Sequence, residues 1–169
     1  METTKKSICI SLYLASLPTI SLLVFSHGAL AAAVDLPAKG QNYLNCETST
    51  LPIGEGRSYT VIKAKGFTTS TDPASPNHVD CYGTVENMPD KTFKASGYCV
   101  ITDRDGDKWL DRWWADSSMQ KGRWEDSGIS GKYKGLQGRT GNYVYTDLST
   151  QSECRGVSNW EVESNWSGR

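Results

Sequence analysis

The clearest pattern along the chain is an alternation of period two. Phe93, Ala95, Gly97, Cys99 and Ile101 share one parity, and Lys94, Ser96, Tyr98, Val100 and Thr102 share the other. Successive side chains of a strand point to opposite faces, so this segment predicts a half-buried antiparallel strand. Val79 to Glu86 precedes it across Met88-Pro89-Asp90-Lys91, and the two read as a hairpin. Ser58 to Thr69 reads as another strand, with Tyr59, Val61 and Phe67 on the parity of Lys63 and Lys65. Lys108 to Ala115 puts Trp109, Asp111 and Trp113 on one face and Leu110, Arg112 and Trp114 on the other. Asn159 to Trp166 gives a last strand, with Trp160, Val162 and Trp166 against Glu161, Glu163 and Asn165.

Between these lie weaker segments. Val34 to Thr50 is a polar lead-in, and Leu51 to Gly56, with Pro52, Gly54 and Gly56, reads as a loop. Pro73 and Pro76 make Ser70 to Asn77 a second loop, which places His78 at a loop end. Ser117 to Ser127 is charged and polar around a single Trp124. Asp103-Arg-Asp-Gly-Asp divides two strands. A calcium loop would need its Gly one place later and a Glu at position twelve, so Asp105-Gly106 is read as a hairpin turn with positive φ at both central residues. Apart from the N-terminal run, no segment has a 3.6-residue apolar period; one short helical turn near Thr146–Arg155 is the most that is expected.

The N-terminal run sets the compartment. Lys5 and Lys6 precede an apolar stretch from Ile8 to Phe25, and small-residue cleavage sites end at Ala31 and Ala33. Residues 1–33 read as a secretory signal peptide and 34–169 as one mature domain, secreted or periplasmic. Cleavage removes Glu2, Lys5 and Lys6 and takes the formal net charge from −1 to −2. That balance gives no reason to expect nucleic acid as partner, or a membrane after cleavage. Cys46, Cys81, Cys99 and Cys154 remain, an even number in an exported chain, which reads as two disulfides. Four cysteines allow three pairings; the hairpin register favours Cys81 with Cys99, which leaves Cys46 with Cys154.

Glycines crowd one stretch, at 128, 131, 135, 138 and 141, among Tyr133, Tyr143 and Tyr145. They fit neither a phosphate loop nor a dinucleotide fingerprint. Strand, bend around Gly135–Gly141, strand is the simplest reading, and curled sheets need such corners to close. Gly131-Lys-Tyr-Lys-Gly-Leu-Gln-Gly-Arg-Thr-Gly-Asn-Tyr resembles the G-x-Y/F-x-G-x-x-G-x-G-x-Y signature of small barrels similar to allene oxide cyclases and dirigent proteins, and above all their bacterial secreted relatives. Gly97-Tyr-Cys-Val-Ile-Thr-Asp-Arg-Asp-Gly-Asp resembles the preceding hairpin of that group. The match runs from about Cys81 to Tyr145, under half the chain, and its last Gly is displaced by one residue. The expected fold is therefore all-β: a small, closed, antiparallel barrel of about eight strands, stapled by disulfides.

Candidate chemistry is sparse. His78 is the only mature histidine and pairs with no nucleophile in sequence, and no C-x-x-C suggests a metal. No motif points to a cofactor. The aromatics remain. Trp109, Asp111, Arg112, Trp113, Trp114, Tyr143 and Tyr145 form the candidate ligand site, with only one face of the 109–114 strand able to point inward. The first expected function is a binding module for a small apolar or aromatic molecule. A cyclase-like or dirigent-like enzyme that confines a reactive intermediate is what the resemblance implies. A barrel packed solid with its own side chains, serving structure or interaction, is the third possibility.

Overall fold

A computed structural model describes residues 37–70, 76–151 and 153–167. The leader expected over 1–33 lies outside them, as do residues 71–75 of the proline-marked loop. Eight strands follow one another: β1 (Lys39–Gly54), β2 (Arg57–Ser70), β3 (Asn77–Asn87), β4 (Phe93–Thr102), β5 (Lys108–Asp116), β6 (Gly122–Gly128), β7 (Gln137–Asp147) and β8 (Cys154–Ser164). Each pairs antiparallel with the next, and β8 returns to β1, so the sheet closes into a barrel. Closure gives each strand a neighbour on both sides through the body of the barrel.

The β3–β4 hairpin follows the expected turn: Lys91 N–H donates to the Met88 carbonyl at 3.1 Å. Cys81 then faces Cys99 across the hairpin, and Cys46 faces Cys154 across the closing seam. Both pairs are disulfides. They staple β3 to β4 and the first strand to the last.

Other expectations need correction. The lead-in and loop expected over 34–56 are largely β1, a strand of 16 residues. Its inner face carries Asn42 and Thr48 beside Leu44 and Cys46, so no apolar stripe marks it. Pro52 is tolerated because β8 pairs only with 39–46; beyond that, β1 has a neighbour on one side alone. The polar stretch 117–127 contains β6, whose inward residues are Gly122, Trp124 and Asp126. A face of glycine, one Trp and a carboxylate does not read as a strand. The bend expected at Gly135–Gly141 lies earlier, through a single 3-10 turn at Gly131–Tyr133, and none of the described residues over 146–155, where a short helical turn was expected, is helical. Gly138 instead sits in β7 at φ +77°, where the register slips by one against Asp126 and Ser127. That is a bulge with the extra residue in the left-handed region. The last strand begins at Cys154, not at Asn159, and ends before Trp166. His78 stands inside β3, bonded to Asp80 at 2.9 Å.

At the β4–β5 turn only Gly106 takes positive φ, at +85°. The Asp103 carboxylate supplies the rest, accepting from the backbone N–H groups of Asp105 at 2.9 Å and Asp107 at 3.0 Å. A side chain that bonds the backbone two residues on replaces the second positive φ.

Candidate functional site

Inward-facing side chains from all eight strands line a cavity of about 870 Å³. The barrel interior is therefore not filled by its own side chains. The space arises where large rings meet glycines. The Trp113 ring lies across Gly97 of β4 and Gly83 of β3, where an added Cβ would come within 2.5 Å and 2.3 Å of it. Tyr143 covers Gly122, Trp124 covers Gly141, Trp160 covers Gly40 and Tyr145 covers Gly156. Each ring lies along the wall instead of projecting to the axis, which lines the cavity with aromatic faces.

One end of the barrel is stoppered. Tyr133, at the end of the 3-10 turn, is only 2% exposed and packs on Trp109 with ring centroids 4.7 Å apart. Its hydroxyl donates to Asp103 Oδ2 at 3.0 Å, and the Lys132 ammonium reaches the Asp103 and Asp105 carboxylates. Asp107 accepts from the Lys132 backbone N–H at 3.1 Å. The acidic triplet of the β4–β5 turn thus clamps the stopper, and Lys132 supplies its cation. At the opposite end the cavity reaches Phe93 and Tyr145, which are 36% and 47% exposed.

Midway along the wall is a row of charge. Asp111 of β5 stands opposite Asp126 of β6, and Asp126 opposite Arg139 of β7. Arg139 Nη1 donates to Asp126 Oδ2 at 2.8 Å, with side chains 5% and 2% exposed. The guanidinium also donates to the Pro37 carbonyl at 2.8 Å, and its carbon lies 5.2 Å from the Trp124 ring centroid and 5.7 Å from that of Trp160. A planar cation between two indoles is held by stacking as well as by charge. Trp124 and Trp160 are fixed in turn, donating to the Asn142 carbonyl and to Thr68 Oγ1, each at 3.1 Å.

Two carboxyl groups therefore share one guanidinium. Burial pushes the Asp126 carboxyl up to about 7 against the pull of the Arg139 charge and hydrogen bond. Asp111 goes well above the usual carboxylate range, first through burial, then through the facing Asp126. It is half-buried, and the surface it keeps borders the cavity. Burial and the Asp111 charge also raise the Tyr143 hydroxyl. Asp111 Oδ1, Asp126 Oδ1 and Trp109 Nε1 are buried without a hydrogen-bond partner among the described residues. Buried polar atoms are rarely left so.

Of the residues singled out in the sequence, Trp109, Asp111, Trp113, Tyr143 and Tyr145 come together on the cavity wall. Arg112 and Trp114 do not. They occupy the outer face of β5, the Arg112 guanidinium 5.5 Å from the Trp114 ring. Sequence reasoning missed Trp124, Asp126, Tyr133, Arg139 and Trp160. The signal for two of these was present: Trp124 and Asp126 share a parity, as Trp109, Asp111 and Trp113 do.

No family model matches the chain, and neither does any curated protein. Among solved structures it is similar to an enzyme from Penicillium herquei, with a TM-score of 0.49 and 14% identity across 76% of this chain and 98% of the other.

Proposed function

We propose that this barrel binds a small, mainly apolar or aromatic molecule inside its cavity. The carrying observation is the space itself, about 870 Å³, whose wall is mostly apolar surface rich in Trp and Tyr rings, with polar groups among them. Small-molecule sites span roughly 300–1,000 Å³ and combine apolar walls with a small number of placed polar groups. The two disulfides support an oxidising compartment, and the working form on this reading is the exported domain that follows the leader.

A confinement enzyme, as the resemblance to the allene oxide cyclase and dirigent group implies, is the second reading. The orphaned carboxyl oxygens of Asp111 and Asp126 favour it, since an acid with a raised pKa beside a more acidic partner is the arrangement proton transfer uses.

Nile red emission on titration with the purified domain tests the binding reading. The expected result is saturable binding near one dye per chain, lost in Ala115→Trp while the thermal melt is unchanged, because Ala115 borders the cavity. Absence of saturable binding, or equal binding by the variant, would contradict it.

A further inference from the structure

We propose that Asp111 is the hydrogen-bond donor that anchors the ligand, and that the ligand is an uncharged ring system bearing a carbonyl-type acceptor oxygen. This rests on the cavity being a ligand site and adds what that site selects.

The argument starts from charge. Every element packed against Asp111 contributes known groups. From β4 comes Cys99, directly opposite and locked in its disulfide. From β6 comes Asp126, and from β7 come Arg139 and Tyr143. From the stopper comes Tyr133, which is spent on Asp103. Arg139 is the one cation in this set, and its ion pair is with Asp126. Like charges directly opposite on a sheet repel, and an unpaired carboxylate in a low-dielectric space takes a proton instead. Asp111 is then a neutral carboxylic acid. A protonated carboxyl has an O–H to give.

Other donors share the wall. Trp109 lies two residues along the same strand, about 6–7 Å away by strand geometry. Its Nε1–H is orphaned, and the residue is only 4% exposed. Indole N–H is a donor and never an acceptor. The Tyr143 hydroxyl stays protonated. Asp126 Oδ1 is an unpartnered acceptor nearby, but it lies buried beside Arg139, whereas the surface Asp111 keeps borders the cavity; what complements an acid O–H there is an acceptor oxygen.

Ionised ligands fit less well. The cations that border the cavity, Arg104, Lys132 and Arg139, each already have a carboxylate partner. An anion would also face Asp126. A cation would have to ionise Asp111 next to Asp126, against the repulsion that holds the proton there.

Three probes of one skeleton separate these cases: fluorenone, which carries the acceptor oxygen; fluorene, which lacks it; and 9-fluorenecarboxylate, which is anionic. Affinities are compared by calorimetric titration at pH 7.5, above the value near 7 to which Asp126 is pushed, on the full mature domain. The wild-type protein is expected to bind fluorenone about tenfold more tightly than fluorene, the worth of one hydrogen bond. Asp111→Asn keeps an N–H donor and is expected to keep that preference. Asp111→Leu is expected to bring the ratio close to one. Equal affinity for fluorenone and fluorene in the wild-type protein, tighter binding of the carboxylate, or an unchanged ratio in Asp111→Leu would each overturn the assignment while leaving the cavity a ligand site. Failure of both neutral probes to bind would overturn the assignment and the binding reading together. Should the Leu variant fail to fold, the wild-type ratio decides alone.

Discussion

Asp111 is costly to the fold. A carboxyl whose folded pKa is raised favours the folded state only while both states are protonated. Its contribution is complete below the unfolded value near 3.8 and is lost as pH climbs through the folded value. Asp126, pushed up to about 7, acts in the same direction. Stability should therefore fall from about pH 4 to beyond pH 7. Asp111→Asn should flatten that fall by up to ~1.4 kcal/mol per pH unit. Urea unfolding of both proteins across this range checks it, and parallel curves would contradict it. Breaking the neighbouring ion pair is a different matter. Loss of Asp126 alone would strand a buried guanidinium, at about 3–5 kcal/mol. A row that stabilises so little for its cost is better explained by what it does for the cavity. Strand parity grouped Asp111 with Trp109 and Trp113 but left open which face of the 109–114 strand points inward. Parity likewise grouped Asp126 with Trp124, but Arg139 carried no such signal, and single charged residues in polar stretches read as solvated until the register shows them facing inward.

The elements explain the glycines. In the sequence they read as bends, and for Gly131, Gly135 and Gly138, at φ +57°, +83° and +77°, backbone conformation is indeed the reason. Gly122 serves otherwise. It faces Tyr143 across the β6–β7 pair, and an added Cβ would lie 2.2 Å from the ring, with every near contact a Tyr143 side-chain atom. Gly122→Ala should cost about 1–3 kcal/mol through overpacking. In a Tyr143→Ala background the same change should cost almost nothing. A double-mutant cycle by chemical denaturation measures that coupling; equal costs in both backgrounds would show that the ring does not depend on the glycine. The pairing of ring and glycine also explains which strands were visible. β4 and β5 alternate strongly, β4 with apolar residues on its inner face and β5 with tryptophans. The inner face of β6 alternates glycine, tryptophan and aspartate, and that of β1 mixes asparagine, threonine and cysteine, since both border a cavity that tolerates small and polar side chains. Hydrophobic alternation reports a packed interior, and part of this interior is empty.

For the molecule as a whole, the barrel must hold a hollow core together. Emptiness forfeits the dispersion contacts that a filled interior would gain. Two features offset that loss. The Cys46–Cys154 disulfide joins the first and last strands across 108 residues, and closing so long a loop is worth about 4–5 kcal/mol on the chain-entropy account. The Tyr133 stopper, clamped by Asp103, Asp105 and Asp107, packs into one end of the barrel. Closure was an expectation from the glycine-rich corner and the family resemblance; strand direction and the two disulfides were legible from alternation, turn chemistry and cysteine parity. The stopper was not, because it depends on contacts between two turns that sequence spacing does not bring together. At the end away from the stopper the cavity is bordered by the exposed rings of Phe93 and Tyr145. The most direct measurement of the central claim is native mass spectrometry of the protein purified, without denaturation, from cells that make it naturally. The account predicts a bound species adding roughly 200–400 Da, in keeping with a ligand pocket of ordinary size, which is released when the barrel is denatured. The bare chain alone, with no change in its thermal melt when extract from the same cells is added back, would contradict it.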